Sequence, residues 1–241
     1  MPERLRIAAI ADLHYTKHCK GRLLPIFRHA SQSADVLCLC GDLTDYGLPE
    51  EAELLAHDLT SSLSIPCLAV LGNHDFESGH AEQVTAVLEA AGIQVLDGES
   101  VTIEGVRFAG VCGFGGGFEG RMLNAWGEPM IKAFVQEAVD HALRLEKALA
   151  RGQEERKVAL LHYSPVRATV MGEEPEIFAF LGSTRLEGPL NRQQATAAFH
   201  GHAHRGEPFG TTSSGVPVYN VSLPVLERAG FDGAPVRVVE V

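Results

Sequence analysis

Five apolar runs in this sequence are each followed by side chains that can bind metals. Asp12-Leu13-His14 follows "RIAAIA", Gly41-Asp42 and then Asp45 follow "VLCLC", and Gly72-Asn73-His74-Asp75 follows "LAVL". His162 follows "VALL", and His200-Gly201-His202-Ala203-His204 follows "ATAAF". Carboxylates, an amide and imidazoles form a mixed oxygen and nitrogen set that suits Mn, Fe or Zn better than Ca. Asp12/His14 and His202/His204 are spaced i, i+2, so each pair can aim both side chains to one side of an extended segment. Any one of these residues, taken alone, reads as a turn former or a solvated loop group. Independent turns would not need this inventory of donors at every strand end. Asp42 stands centrally in the series and has two oxygens, enough to serve two ions.

The elements that must position these residues follow from periodicity. Residues 5–11, 35–40 and 66–71 read as strands, and 21–31, 49–63 and 79–91 as helices between them. Pro49 and the acids after it are what a helix N-terminus prefers. Alternation of strand and helix predicts βαβ units and a parallel sheet, whose strand carboxyl ends share the edge where α/β proteins place their sites. Glycines at 41, 72 and 201 permit sharp turns and close backbone approach. Beyond residue 92 the pattern changes. Three short β runs between 93 and 114 suggest hairpins, and 130–151 is a long helix with apolar residues at helical spacing. Strands at 157–163 and 195–201 and two closing β segments, 216–223 and 235–241, complete a single domain over 1–241 with two sheets and helices outside. Loops 113–129 and 164–190 are long enough to expect function in them.

In this order the motifs resemble those of the calcineurin-like metallophosphoesterase superfamily: D-x-H, GDxxD, GNH[DE], a histidine and GHxH. They stand here as Asp12-Leu-His14, Gly41-Asp42-Leu-Thr-Asp45, Gly72-Asn73-His74-Asp75, His162 and Gly201-His202-Ala-His204, with no member missing. The resemblance implies an α/β fold, a two-sheet β-sandwich flanked by helices in four layers. It implies two divalent or mixed-valence transition-metal ions, Mn, Fe or Zn. One would take Asp12, His14, Asp42 and His204, and the other Asp42, Asn73, His162 and His202. His74 would be the catalytic group and Asp75 would orient its imidazole. The implied reaction is hydrolysis of a phosphodiester by a metal-bridging hydroxide on a small phosphoester substrate, with a nucleotide among the candidates. The branch most similar is that of cyclic-nucleotide phosphodiesterases, although GNHD occurs in several branches. A phosphomonoesterase or nucleotide pyrophosphatase would use the same ligands, and a binding module of the same fold would keep them without turnover. The complete ligand set and His74 argue against the last.

Composition narrows the partners. The chain has 241 residues and a net charge of −11, with Lys and Arg scattered. No basic stripe offers a path for a nucleic-acid backbone, whereas a small anion remains compatible because bound cations reverse the local sign of charge. The five cysteines are odd in number and form no CxxC. They read as small buried hydrophobes, which fits a reducing cytoplasm. The N-terminal apolar run reads as a first strand, not a signal peptide. No window approaches the roughly 18 apolar residues of a membrane span, and the oligomeric state stays open. Outside the motifs, Asp45 is expected to hold a ligand or loop, and His200 to be structural. His18, His29, His57, His80 and His141 are expected at the surface, and Arg121, Arg167, Arg185 and Arg192 solvated. Phe114, Phe118, Trp126, Phe178 and Phe180 are expected to pin the two long loops.

Overall fold

The computed structural model describes residues 4–230 and 234–241; residues 1–3 and 231–233 of the expected 1–241 span lie outside the described residues. Strand β1 (Arg6–Ile10), helix α1 (Leu24–Ser33), β2 (Val36–Cys40), α2 (Pro49–Thr60), β3 (Cys67–Val70), α3 (Ala81–Ala90) and β4 (Gln94–Val95) form the first half. β1 to β4 run parallel, and β11 (Arg237–Glu240) closes the sheet antiparallel to β1, in the order β11-β1-β2-β3-β4. The second sheet takes β5 (Glu99–Ile103), β6 (Val106–Gly110), β7 (Arg156–Leu160), β8 (Ala197–His200), β9 (Phe209–Thr211) and β10 (Pro217–Asn220) in the order β5-β6-β7-β8-β10-β9. Only its edge strands β5 and β9 are antiparallel. Helices α4 (Pro129–Leu149), α5 (Phe178–Leu181), α6 (Glu187–Arg192) and α7 (Leu223–Ala229) complete the chain. Two mixed sheets flanked by helices are the α/β sandwich that the sequence predicts.

Packing explains the strand compositions. β2 is buried at all five positions, because one face meets helices and the other meets the second sheet. An unbroken apolar run is therefore required, and Cys38 and Cys40 lie within it as small buried fillers. Ile7, Leu37, Leu39, Phe108 and Phe199 belong to the large core cluster shared by the two sheets, each contributing about 1.5–3 kcal/mol by burial. The outer face of the second sheet is covered by α4, whose Ala142, Leu145 and Leu149 pack with Val111, Leu161 and Val218.

Several expectations needed correction. The 93–114 region makes one hairpin, β5–β6, turning at Glu104 and Gly105 with positive φ at both, as a two-residue type I′ turn demands. β4 joins the first sheet instead, parallel to β3. The closing β segment at 216–223 stops at Asn220, because Leu223-Pro224 starts α7 and proline suits a first helical turn. His141 is not at the surface: it is 7% exposed, with its ring stacked 6.2 Å from that of Phe114. Arg185 is not fully solvated, since its Nη2 donates to the Leu123 carbonyl at 2.8 Å. Phe118 and Phe178 pack edge to face, and Phe114 packs on Phe134. Phe180, 58% exposed, packs its ring edge-on against Phe134 at 6.0 Å, whereas Trp126 remains 74% exposed and does not pin its loop.

Candidate metal centre

The carboxyl ends of the parallel strands in both sheets meet at one edge, and backbone bonds interlock them. Asp12 N–H donates to the Gly41 carbonyl at 3.0 Å, and Gly201 N–H to the His162 carbonyl at 3.1 Å. His162, beyond β7 in the second sheet, donates from Nδ1 to the Cys40 carbonyl of the first at 3.0 Å. Asp12, His14, Asp42 and His202 have positive φ, four of seven non-glycine residues that do among those described. Such backbone costs of order 1–3 kcal/mol per residue and persists where the surroundings enforce it. Its concentration on four expected ligands points to a site that the fold constrains. Gly41 and Gly72 are required by the same crowding. A Cβ at Gly41, which has φ +85°, would stand 2.4 Å from the His162 ring, and one at Gly72 would stand 2.2 Å from Asp42 Oδ1.

All seven expected metal ligands come together at this edge. Asp12, His14 and His204 form one cluster able to hold a cation, and Asp42, His162 and His202 a second. Asp42 lies between them. Its Oδ1 is 3.3 Å from His162 Nε2, while its Oδ2 is 3.9 Å from His14 Nε2 and 4.0 Å from His74 Nε2. Asn73 Oδ1 stands 2.9 Å from His162 Nε2. A singly protonated His162 that donates from Nδ1 turns its Nε2 lone pair toward Asn73 Oδ1 and Asp42 Oδ1. Three acceptor atoms then converge, of which Asp42 Oδ1 also accepts from the His74 backbone N–H at 2.9 Å, and a cation satisfies the arrangement. Both ring nitrogens of His14 are buried, and among the described residues neither has a hydrogen-bond partner. These observations make the residues a fit for two cations.

Charge and burial divide the imidazoles. Burial, reinforced by nearby His162, pushes the His202 imidazole down to about 3, and burial also lowers His14. Neutral rings keep their lone pairs for a metal. His204 is raised, chiefly by its 3.0 Å hydrogen bond to Asp12 Oδ1. Burial works against the Asp12 carboxylate, yet the bond with His204 and the surrounding imidazoles outweigh it and hold Asp12 at about 2.

His74 and Asp75 open a single 3₁₀ turn over His74–Phe76. Asp75 does not orient His74. Its buried carboxylate accepts from the backbone of Leu43, Thr44 and Gly72 and from the Thr44 hydroxyl. It thereby ties the Asp42 loop to the Asn73 loop. The Asp45 carbonyl takes the orienting role, accepting from His74 Nδ1 at 2.7 Å. Successive side chains of a 3₁₀ turn splay about a third of a turn apart, so neighbours in sequence face different ways. Burial disfavours charge on His74, but the Asp45 carbonyl and the carboxylates of Asp42, Asp45 and Asp75 raise it on balance. Asp45 also places Oδ1 3.3 Å from His14 Nδ1.

Three participants are not legible from residue type. The Phe180 carbonyl stands 3.1 Å from His202 Nε2, which fixes that nitrogen as the donor and leaves Nδ1 for a ligand. Thr169 Oγ1 lies 2.8 Å from Nε2 of buried His200, whose Nδ1 donates to the Gly201 carbonyl at 2.8 Å. Asn220 donates to the carbonyls of Ala203 and Thr169. Together they fasten the turn that carries His202 and His204. His200 is thus structural, as expected from a family pattern that gives it no ligand role.

A model of the calcineurin-like phosphoesterase family matches residues 5–206. Among solved structures, a phosphopantetheinyl hydrolase from Mycobacterium tuberculosis is 16% identical, with a TM-score of 0.69 over 99% of this chain and 97% of the other. The protein TT1561 of Thermus thermophilus is 14% identical, with a TM-score of 0.57 over 99% of each chain. GAP50 of Plasmodium, described as the anchor in the inner membrane complex, is 11% identical, with a TM-score of 0.55 over 92% of this chain and 72% of the other. At these identities the likeness is one of fold. No curated protein sequence matches the chain.

Proposed function

The chain belongs to the calcineurin-like phosphoesterase family, and from that premise we propose that it is a metal-dependent hydrolase of phosphoric diesters with a two-ion centre. The observation that carries this reading is the placement of Asp42, whose two oxygens face the two donor clusters. Asp12, His14, Asp42 and His204 would hold one ion, and Asp42, Asn73, His162 and His202 the other. Mn, Fe and Zn suit this mixed set. When bound, such ions supply positive charge beside the phosphoryl group and acidify water.

The chain's own residues do the rest. With Nδ1 committed to the Asp45 carbonyl, His74 has Nε2 free toward the substrate. As imidazolium it gives that proton to the departing alkoxide. Asp75 and Thr44 keep the His74 and Asp42 loops in register. The net charge of −11 repels a dianionic monoester more than a monoanionic diester, which favours diesters. The test is turnover by purified, Mn-loaded protein on mono- and diesters, with cyclic nucleotides included. A higher kcat/KM for bis-p-nitrophenyl phosphate than for p-nitrophenyl phosphate is expected. The reverse order would assign the same site to monoesters, and no turnover on any ester would leave a binding module.

A further inference from the structure

The glycine-rich stretch 113–117 supplies no donor to the candidate centre, yet its backbone reaches that centre through the short helix α5. The last carbonyls of so short a helix have no partner within it, and each finds one outside. The Ala179 carbonyl accepts from Gly116 N–H at 2.6 Å, the Leu181 carbonyl from Ser164 N–H at 3.0 Å and the Gly182 carbonyl from Gly117 N–H at 2.9 Å. The Phe180 carbonyl, bracketed by the first two, accepts from His202 Nε2 at 3.1 Å. Ser183 N–H and Thr184 N–H return bonds to the carbonyls of Ser164 and Gly117, at 3.0 and 3.2 Å. Main-chain bonds thus lace three stretches of chain together around one carbonyl.

The lacing needs glycine for closeness, not for turning. Neither Gly115 nor Gly182 has a left-handed backbone. A Cβ at Gly115 would stand 2.6 Å from the Ala179 carbonyl oxygen, and one at Gly182 would run into the Ser164 carbonyl. Backbones at this separation leave no room for a side chain. The frame behind them is fixed at two strand ends. Ser164 is fully buried two residues after His162, and its Oγ lies 2.8 Å from Thr169 Oγ1, the hydroxyl that meets His200. The glycine stretch begins just after Cys112, whose carbonyl accepts from His162 N–H at 2.8 Å. A neutral imidazole can carry its proton on either nitrogen, and the partner of one nitrogen settles what the other offers.

We infer that Gly115, Gly116, Gly117 and Gly182 are positioning residues for the metal centre: their close-packed backbone clamps the Phe180 carbonyl against His202 Nε2 and so reserves Nδ1 of that ring for an ion. The inference rests on the two-ion reading for the use of Nδ1, but the tautomer of the ring is readable in metal-free protein.

The test reads the His202 tautomer from the nitrogen-15 NMR signals of its ring in metal-free protein near neutral pH, and then titrates Mn²⁺. Wild type is expected to carry the proton on Nε2. Gly115→Ala pushes on the Ala179 carbonyl, so it is expected to mix in the form protonated on Nδ1. It should also weaken Mn²⁺ binding at the cluster of Asp42, His162 and His202 about ten- to a hundredfold, with the cluster of Asp12, His14 and His204 unchanged. Gly127→Ala is the control for a general loss of stability. It lies in the same loop at φ +82° with open space where a Cβ would stand, so it strains the backbone without touching α5, and both readouts should match wild type. A wild-type His202 protonated on Nδ1 would overturn the inference, whether or not Gly115→Ala folds. So would a folded Gly115→Ala with the wild-type tautomer and affinity. A changed tautomer at unchanged affinity would support the clamp and remove His202 from the expected ligands.

Discussion

The two donor clusters sit side by side, yet they are built differently. In the cluster of Asp42, His162 and His202, carbonyls fix the imidazoles. His162 donates to Cys40, and His202 faces the carbonyl of Phe180. Burial keeps His202 neutral, and His162 is fully buried. In the cluster of Asp12, His14 and His204, no carbonyl among the described residues holds either ring. His14 has no hydrogen-bond partner among the described residues, and His204 is raised by Asp12 so that a proton competes for its lone pair. One cluster is organised without an ion, and the other would be organised by one. The first should hold its metal more tightly and exchange it more slowly, since a fixed ring loses no freedom on ligation.

The largest effect should come from the residue common to both. Asp42→Ala is expected to leave less than one ion per chain by elemental analysis and no measurable turnover. Asp42→Asn is the sharper variant, because asparagine tolerates the positive φ of this position but offers one acceptor oxygen. It should retain one ion, in the organised cluster. Two ions in either variant would break the bridging role. Next in size is His74→Ala, which removes a proton donor worth about 10²–10⁴-fold where the leaving group needs it. An alkyl diester should suffer far more than bis-p-nitrophenyl phosphate at unchanged metal content. Equal losses would point to charge stabilisation by His74 instead.

Thr169→Val tests whether the organised cluster owes its order to the buried network behind His202. Removing the hydroxyl that meets His200 should weaken metal binding roughly tenfold, mainly at that cluster, with the fold retained. Loss of the more weakly held ion instead would reverse the comparison. The smallest effect is on stability against pH. Burial, the largest influence, pushes His200 down to about 4, so its proton binds the unfolded chain better than the folded one. Stability from the neutral ring is therefore full above the ordinary value of 6.5 and is lost as pH falls from there toward 4. The slope is about 1.4 kcal/mol per pH unit. In metal-free protein, His200→Gln should flatten the denaturation midpoint over that window. An unchanged slope would show that His200 is not buried neutral.

How much of this was legible in the sequence depended on what carried the information. Strand ends that break from apolar residues into Asp, Asn and His announce a site by type and spacing, and the chain order of the motifs pointed to the fold and to seven expected donors that the structure brings to one edge. The His74–Asp75 pairing failed because adjacency in sequence says nothing about facing when the backbone enters a 3₁₀ turn. His141 could have been found: with Ala138, Ala142 and Leu145 it lies on one helical face, and that face is buried. Phe180 acts through its carbonyl, which every residue has, and Thr169 reaches Asn220 across 51 positions. Neither leaves a local signal. The positive φ at four expected ligands was likewise invisible, though Asp and His tolerate it better than most.

Calorimetric titration of metal-free protein with Mn²⁺ tests the central claim most directly. Two binding events per chain are expected, the tighter abolished by His162→Ala and the weaker by His14→Ala, each variant keeping the other event. A single ion per chain, or a tight site that survives His162→Ala and disappears with His14→Ala, would contradict the account.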